Sequence, residues 1–153
     1  MNIYADTSWW LAYKSRRDAN HDAAITLFDL HSDARVIWTP WHRVEVFNTI
    51  RQVERSGAIA VGDARNLIRL LEQEIRLGYW PHREFDWRDA VRTASELSAE
   101  HGLSISIRAM DLFHVAIAIE LGADALLTFD REQQALAAEA GLRVLHLPTR
   151  RSR

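Results

Sequence analysis

Cysteine is absent from the chain, which excludes disulfide staples and thiolate metal sites. Lysine is nearly absent as well: Lys14 stands alone against 18 arginines. Arginine grips phosphate in a bidentate fork, so the bias hints at a phosphate-bearing partner, although genomic base composition produces the same bias. No apolar run approaches the roughly 20 residues that a membrane span needs, and no signal peptide precedes the first apolar segment. A cytoplasmic protein without membrane contact is therefore expected. The formal net charge of −2 does not advertise nucleic-acid binding. With three prolines and six glycines there is no linker, repeat or low-complexity segment. The 153 residues, 48% hydrophobic and 26% charged, suit one ordinary globular domain over residues 1–148. Residues 149–153 form a basic tail, expected to be disordered.

What is present is clearest near the C-terminus. Asp111 stands before an apolar run, Leu112 to Leu121, that is hydrophobic on nearly every side, as a buried helix is. Gly122 stops it where a helix-ending glycine belongs. Ala125 to Phe129 reads as a short buried strand that ends on Asp130. A helical pattern from Arg131 to Ala140 and a strand from Arg143 to Leu147 follow. Helix, strand, helix, strand is half of an α/β domain with parallel strands.

The N-terminal half supplies the rest. Met1 to Ala5 is a first strand, followed by Asp6-Thr7-Ser8, all helix-capping types, and a short helix from Trp9. Ala23 to Leu30 is helical and Val36 to Trp38 is a second strand. Thr39-Pro40 opens a helix to about Ser56, with Val46, Phe47, Ile50 and Val53 on one face and Glu45, Asn48, Thr49 and Gln52 on the other. Asp63 to Arg76 is amphipathic, and residues 78–82 fit an edge strand. Asp86 to Glu100 is helical with Val91, Ala94, Leu97 and Ser98 inward; Leu103 to Ile107 reads as a loop leading into Asp111.

Four acids stand out. Asp6 and Asp130 close strands, Asp111 opens a buried helix, and Glu45 lies one turn into the helix after the second strand. Singly, each Asp has a capping explanation, and Asp130 with Gln133 matches a capping box. In a parallel sheet, however, the strand C-termini share one edge, so these acids converge. Clustered carboxylates repel unless a cation or protons intervene. Oxygen ligands without cysteine or a histidine cluster suit Mg²⁺ or Mn²⁺, and such an ion activates water for phosphodiester hydrolysis.

The ordered set D-T-S at Asp6, V-E-V-F-N around Glu45, D-L-F-H-V-A-I-A from Asp111 and L-L-T-F-D ending at Asp130 resembles the PIN domain family. Within that group it is most similar to the VapC-type toxins of bacterial toxin–antitoxin pairs, and the likeness runs from Ile3 to Leu147. The resemblance implies an α/β/α sandwich around a mostly parallel sheet of four to five strands. It further implies a Mg²⁺-dependent endoribonuclease (Mn²⁺ substituting) whose metal-holding acids map onto Asp6, Glu45, Asp111 and Asp130. Thr7, Ser8 and Thr128 fall where relatives place supporting hydroxyls. Expected partners are an RNA substrate, a cognate antitoxin and a second copy of the chain, the last pairing through the helices at Asp63–Arg76 and Trp41–Ser56. Glu132 stands where many relatives carry a further acid. A catalytically silent PIN-like RNA-binding or assembly module is the alternative, although all four acids are kept. A phosphatase using Asp6 as nucleophile would carry a second acid where this chain has Ser8.

Other residues have two readings each. His114, one turn after Asp111, contacts a phosphate or the Asp111 carboxylate, or is a satisfied core histidine. Asn48 supports Glu45 or merely lines a polar face. Trp9, Trp10 and Trp41 stack on RNA bases or belong to the core. Arg43, Arg51 and Arg108 contact phosphate or are solvated.

Overall fold

A computed structural model describes residues 1–148; the basic tail anticipated at 149–153 lies outside the described residues. The element order is β1 (Asn2–Ala5), α1 (Thr7–Lys14), α2 (His21–Leu30), β2 (Arg35–Ile37), α3 (Pro40–Arg55), α4 (Asp63–Arg76), α5 (Trp87–His101), α6 (Ala109–Glu120), β3 (Ala125–Leu127) and α7 (Arg131–Glu139). All pairing is parallel, in the order β2-β1-β3. Ile3 sits between Val36 and Ala125, and Tyr4 between Ile37 and Leu126.

Side-chain alternation along these strands creates the two faces. Ile3, Ala5, Val36, Ala125 and Leu127 point into one apolar layer, with Trp9 and Trp10 of α1, Leu27 of α2, Val46 and Ile50 of α3 and Leu71 of α4. Tyr4 and Leu126 point into the other, against α5, the Val115–Ala118 core of α6, and Leu136 of α7. The result is the α/β/α sandwich expected from the sequence. The first layer is aromatic: Trp10 meets Trp38 and Trp80 edge-on, each at 5.1 Å between centroids.

The sheet is narrower than expected. The segments anticipated as fourth and fifth strands each make a single parallel bridge, Trp38 with His82 and Leu126 with Val144. Strand length explains this. In a parallel ladder successive residues offer their backbone groups to opposite neighbours. β3 has three residues, so Leu126 alone turns both groups outward, to Arg143 O (2.8 Å) and Leu145 N (3.0 Å). Trp38 does the same for Pro81 O and Arg83 N. β3 also ends at Leu127 rather than Phe129, because its partner β1 departs into α1 after Ala5.

Helix ends follow the sequence closely. Gly122 adopts φ +60°, and the bonds from Gly122 N to Ile119 O and Ala123 N to Ala118 O close α6 as a Schellman turn. The α5 face is a correction. Ala90, Thr93 and Leu97 are buried, whereas Val91 is 55% exposed and Ser98 is exposed. The helix is rotated about one residue from the hydrophobic reading because Thr93 donates to Glu120 on α6 at 2.5 Å. That bond satisfies a buried hydroxyl, which Val91 could not have used.

Candidate active site

Two neighbouring strands deliver the first acids. Asp6 follows β1, donates its backbone N–H to Leu127 O at 2.9 Å, and caps α1 by accepting from Trp9 N at 3.0 Å. The same carboxylate oxygen accepts from the Ser8 hydroxyl (2.6 Å), and the other accepts from Thr128 (2.9 Å). Thr128 Oγ1 in turn accepts from Asp130 N at 3.0 Å, and Ser8 Oγ accepts from Phe129 N at 2.9 Å. Asp130 caps α7 through Gln133 N at 2.8 Å. The capping box read from the sequence is half formed. Gln133 does not reach back to Asp130 N; its amide donates across to the Asp111 carbonyl on α6 at 3.3 Å. One chain of bonds thus joins Asp6, Thr128, Asp130, Gln133 and Asp111. Asp111 itself lies in the first turn of α6 and does not cap it, since Arg108 is the N-cap.

Glu45 is held from the other flank. Thr39 caps α3, with His42 completing the box from the position where Glu or Gln is usual. His42 is fully buried; its Nδ1 accepts from Thr39 N (2.9 Å) and its Nε2 donates to Ala5 O (2.7 Å). The start of α3 is thereby tied to the end of β1, directly before Asp6. One turn on, Glu45 Oε2 accepts from the Thr7 hydroxyl at 2.7 Å and pairs closely with His114 Nε2. The other ring nitrogen of His114 bonds the Tyr4 hydroxyl at 2.8 Å.

The electrostatics separate these acids. Burial pushes the Asp6 carboxyl above its ordinary value, against the lowering effect of His114 and of its own three donors. Asp111 is raised by burial, then by the charge of Asp130, with Asp6 and Glu45 adding to it. Burial would raise Glu45 too, but the His114 bond and charge, together with Thr7, bring it below the ordinary carboxylate value. Burial, reinforced by His114, drives His42 well below the usual imidazole value.

The donor chemistry fits a hard divalent cation. Among the described residues the Asp111 carboxylate receives no hydrogen bond or ion pair, and buried Gln133 Oε1 has no partner. The unpaired Asp111 carboxylate, under the charges of Asp130, Asp6 and Glu45, and the orphaned amide oxygen are oxygen-donor capacity that no protein group uses. The described residues contain no preassembled group of three acids or histidines at cage-like spacing.

The remaining sequence candidates divide. Thr7, Ser8 and Thr128 join the acids, as described. His114 is 1% exposed and serves Glu45 rather than Asp111 or a free phosphate. Trp9 and Trp10 are fully buried, which overturns base stacking for both. Their positions in the first turn of α1 face the sheet, where two indoles fill volume that smaller residues would leave empty. Trp41 packs edge-on against Phe113 at 5.1 Å and Trp87 at 6.2 Å, with its indole nitrogen buried, so it is no open platform either. Asn48 is exposed and makes no bond to Glu45. Arg43 is paired with Glu72. Arg51, Arg108 and Glu132 are exposed. The sequence reading missed Tyr4, His42 as a tether, and the reach of Gln133 to Asp111. The capping-box spacing did flag Gln133; for Tyr4 only its place on a central strand beneath the acids offered a signal.

A PIN domain family profile matches residues 3–139. No curated protein sequence matches the chain. Among solved structures, VapBC2 from Rickettsia felis bound to a fragment of its promoter DNA is similar at a TM-score of 0.66 and 14% identity, over 95% of this chain and 98% of that chain. VapC20 of Mycobacterium tuberculosis, a sarcin–ricin-loop-cleaving toxin, is similar at 0.64 and 20% identity, over 87% and 93%. FitAcB from Neisseria gonorrhoeae is similar at 0.62 and 15% identity, over 94% and 96%. At these identities the similarities establish the fold.

Proposed function

This chain belongs to the PIN domain family, and from that premise we propose that it is a Mg²⁺-dependent endoribonuclease, the toxin of an antitoxin-controlled pair acting in the cytoplasm. The observation that carries the reading is the bonded chain from Asp6 through Thr128, Asp130 and Gln133 to the Asp111 backbone carbonyl, with the Asp111 carboxylate left without a protein donor. Beyond the favourable place of an acid in a first helical turn, the unpaired Asp111 carboxylate is open to an external cation.

Asp6, Asp111, Asp130 and Glu45 would hold the ion. When bound, Mg²⁺ lowers the pKa of water and stabilises charge on a phosphoryl group, which suits in-line hydrolysis to 5′-phosphate and 3′-hydroxyl ends. The protein's own part is orientation. Ser8 and Thr128 grip the two oxygens of Asp6 from opposite sides and fix its plane. Thr7 and His114 fix one oxygen of Glu45 and leave the other without a protein donor. Gln133 sets the separation of Asp130 and Asp111. The VapC20 neighbour is a sarcin–ricin-loop-cleaving toxin; an RNA substrate, a cognate antitoxin and a homodimer are proposed here on the likeness to the PIN-domain toxins. An antitoxin arginine entering the acidic edge would replace the cation's charge.

Purified protein incubated with total RNA, with Mg²⁺ or Mn²⁺ and with EDTA, tests the reading alongside calorimetric titration of Mn²⁺. Metal-dependent cleavage and a Mn²⁺ isotherm lost in Asp111→Asn are expected. Cleavage that persists in EDTA, or no Mn²⁺ binding, overturns it.

A further inference from the structure

The acidic edge poses a difficulty for its own substrate. Four carboxylates repel a polyanion, and a bound divalent ion offsets only part of their charge. A nuclease of RNA therefore needs positive contacts away from the reacting phosphate, and net charge gives none to spare. Three guanidinium groups supply them. Arg51 on α3 and Arg65 and Arg69 on α4 line one concave cleft of about 440 Å³, together with Glu54, Glu72 and Ile68. Arg65 and Arg69 are four residues apart and share a helix face. All three arginines are exposed.

Both acids in the cleft are already engaged. Glu54 Oε2 accepts from Gly62 N at 3.0 Å and Ala64 N at 2.8 Å, so its charge closes the N-terminus of α4. Glu72 is paired with Arg43. Among the described residues, Arg51, Arg65 and Arg69 have no carboxylate partner. Three guanidinium groups without a carboxylate partner, lining one cleft, make a site for oxyanions that accept paired N–H donors. The cleft begins on α3, the helix that carries Glu45, but six residues at about 100° each turn Arg51 onto a different face of that helix.

We propose that Arg51, Arg65 and Arg69 form a phosphate track that binds the RNA backbone away from the reacting phosphate, without reading its bases. The proposal rests on the ribonuclease reading, names how the substrate is held, and puts the homodimer seam elsewhere than the α3–α4 face first expected for it. Such a track makes binding salt-dependent and sequence-tolerant.

The test is binding of a fluorescein-labelled single-stranded RNA, followed by anisotropy in EDTA across a salt series. It compares wild type, the triple variant Arg51→Gln/Arg65→Gln/Arg69→Gln, and the same three positions changed to Lys. Each phosphate contact contributes about 0.7 to the slope of log affinity against log salt, so the Gln variant should lose about 2 from that slope. It should bind at least about tenfold more weakly at about 50 mM salt, whatever the RNA sequence, while the Lys variant recovers most of the slope. An unchanged slope in the Gln variant overturns the track and leaves the nuclease reading standing. RNA binding lost in the Gln variant, from a wild type that cuts no RNA with any metal, keeps the track and removes the nuclease. Two results reassign the face to protein and overturn the track. One is a Gln variant that sediments as a smaller species than wild type with its RNA slope intact. The other is one that loses binding to poly-glutamate but not to RNA.

Discussion

Glu45 and Asp111 face the same edge of the sheet, one on the α3 flank and one on the α6 flank, and the protein has answered only the first charge. Glu45 receives a hydroxyl and an imidazole on one oxygen, and that imidazole is anchored by Tyr4 on the central strand. Its proton affinity falls accordingly. Asp111 receives nothing among the described side chains and its proton affinity rises. A carboxylate with a structural duty looks like Glu45, bound into the fold by partners that would suffer from its loss. One awaiting an external charge looks like Asp111. The pair teaches that the edge is half prepared by the protein and half left for a ligand, and substitutions on the two flanks should differ in sign.

The largest effect is expected at Asp111. Asp111→Asn removes a charge that no protein donor pairs, so RNA cleavage should fall at least about a hundredfold, as loss of a metal-holding carboxylate implies. The melting temperature in EDTA should rise, because repulsion from Asp130, Asp6 and Glu45 is relieved. Melts and cleavage assays on one preparation check both halves. An Asp111→Asn protein that melts lower in EDTA would erase the contrast.

His114→Ala is the opposite case. It strands Glu45 and the buried Tyr4 hydroxyl together, and removing one partner of a buried pair costs about 3 kcal/mol. Urea denaturation measures it. A loss below about 0.5 kcal/mol would show that Thr7 alone supports Glu45, and the two flanks would then be equivalent.

The pH dependence sharpens the comparison, since its contributions carry opposite signs. His42 is buried with its imidazole held well below its ordinary 6.5, so it binds a proton in the unfolded chain first. Its contribution is complete above pH 6.5 and is lost as pH falls below that value. Asp6 and Asp111 are raised above their ordinary 3.8, so the unfolded chain releases those protons first. Their contribution is complete below pH 3.8 and is lost as pH rises through the shifted values. In metal-free buffer the two trends partly cancel in wild type. The double variant Asp6→Asn/Asp111→Asn should therefore lose stability more steeply than wild type as pH falls from the raised values of the two acids towards their ordinary 3.8. Parallel profiles would mean that the acids contribute nothing.

Much of this was legible in the chain. The acids, their strand-end positions and the parallel sheet follow from D-T-S, L-L-T-F-D and the helix periods, because caps and strand ends are local features. The two-faced core was legible for the same reason. What escaped is tertiary. Val91 outranks Thr93 in hydrophobicity, and only the Glu120 oxygen on a neighbouring helix reverses their places. Tyr4 reads as an ordinary strand residue until His114, distant in sequence, meets its hydroxyl. His42 escapes because the capping pattern looks for Glu or Gln, although an imidazole can accept from the same backbone N–H. Trp9 and Trp10 were open to base stacking because sequence places them beside Asp6 without saying which way they face.

The smallest effect in stability, and the finest discrimination, belongs to Asp6, which lies on both sides of the comparison. It is a helix cap with three donors, as well partnered as Glu45, yet burial raises its proton affinity as for Asp111. Asn caps a helix about as well as Asp, so Asp6→Asn keeps the bond to Trp9 N and should cost only a few tenths of a kcal/mol on that account. The amide also keeps its shape between Ser8 and Thr128, whose hydroxyl can turn to accept where it now donates. Removing the buried charge acts the other way. If the charge dominates, the melting temperature in EDTA rises slightly, the stabilisation by about 5 mM Mn²⁺ shrinks, a concentration above millimolar affinities, and cleavage is lost. If the cap dominates, the EDTA melt stays level or falls, while the Mn²⁺ response and cleavage survive. The second outcome would leave Asp6 a structural residue and shift the binding edge onto Glu45, Asp111 and Asp130. The raised proton affinity of a fully buried carboxylate favours the first.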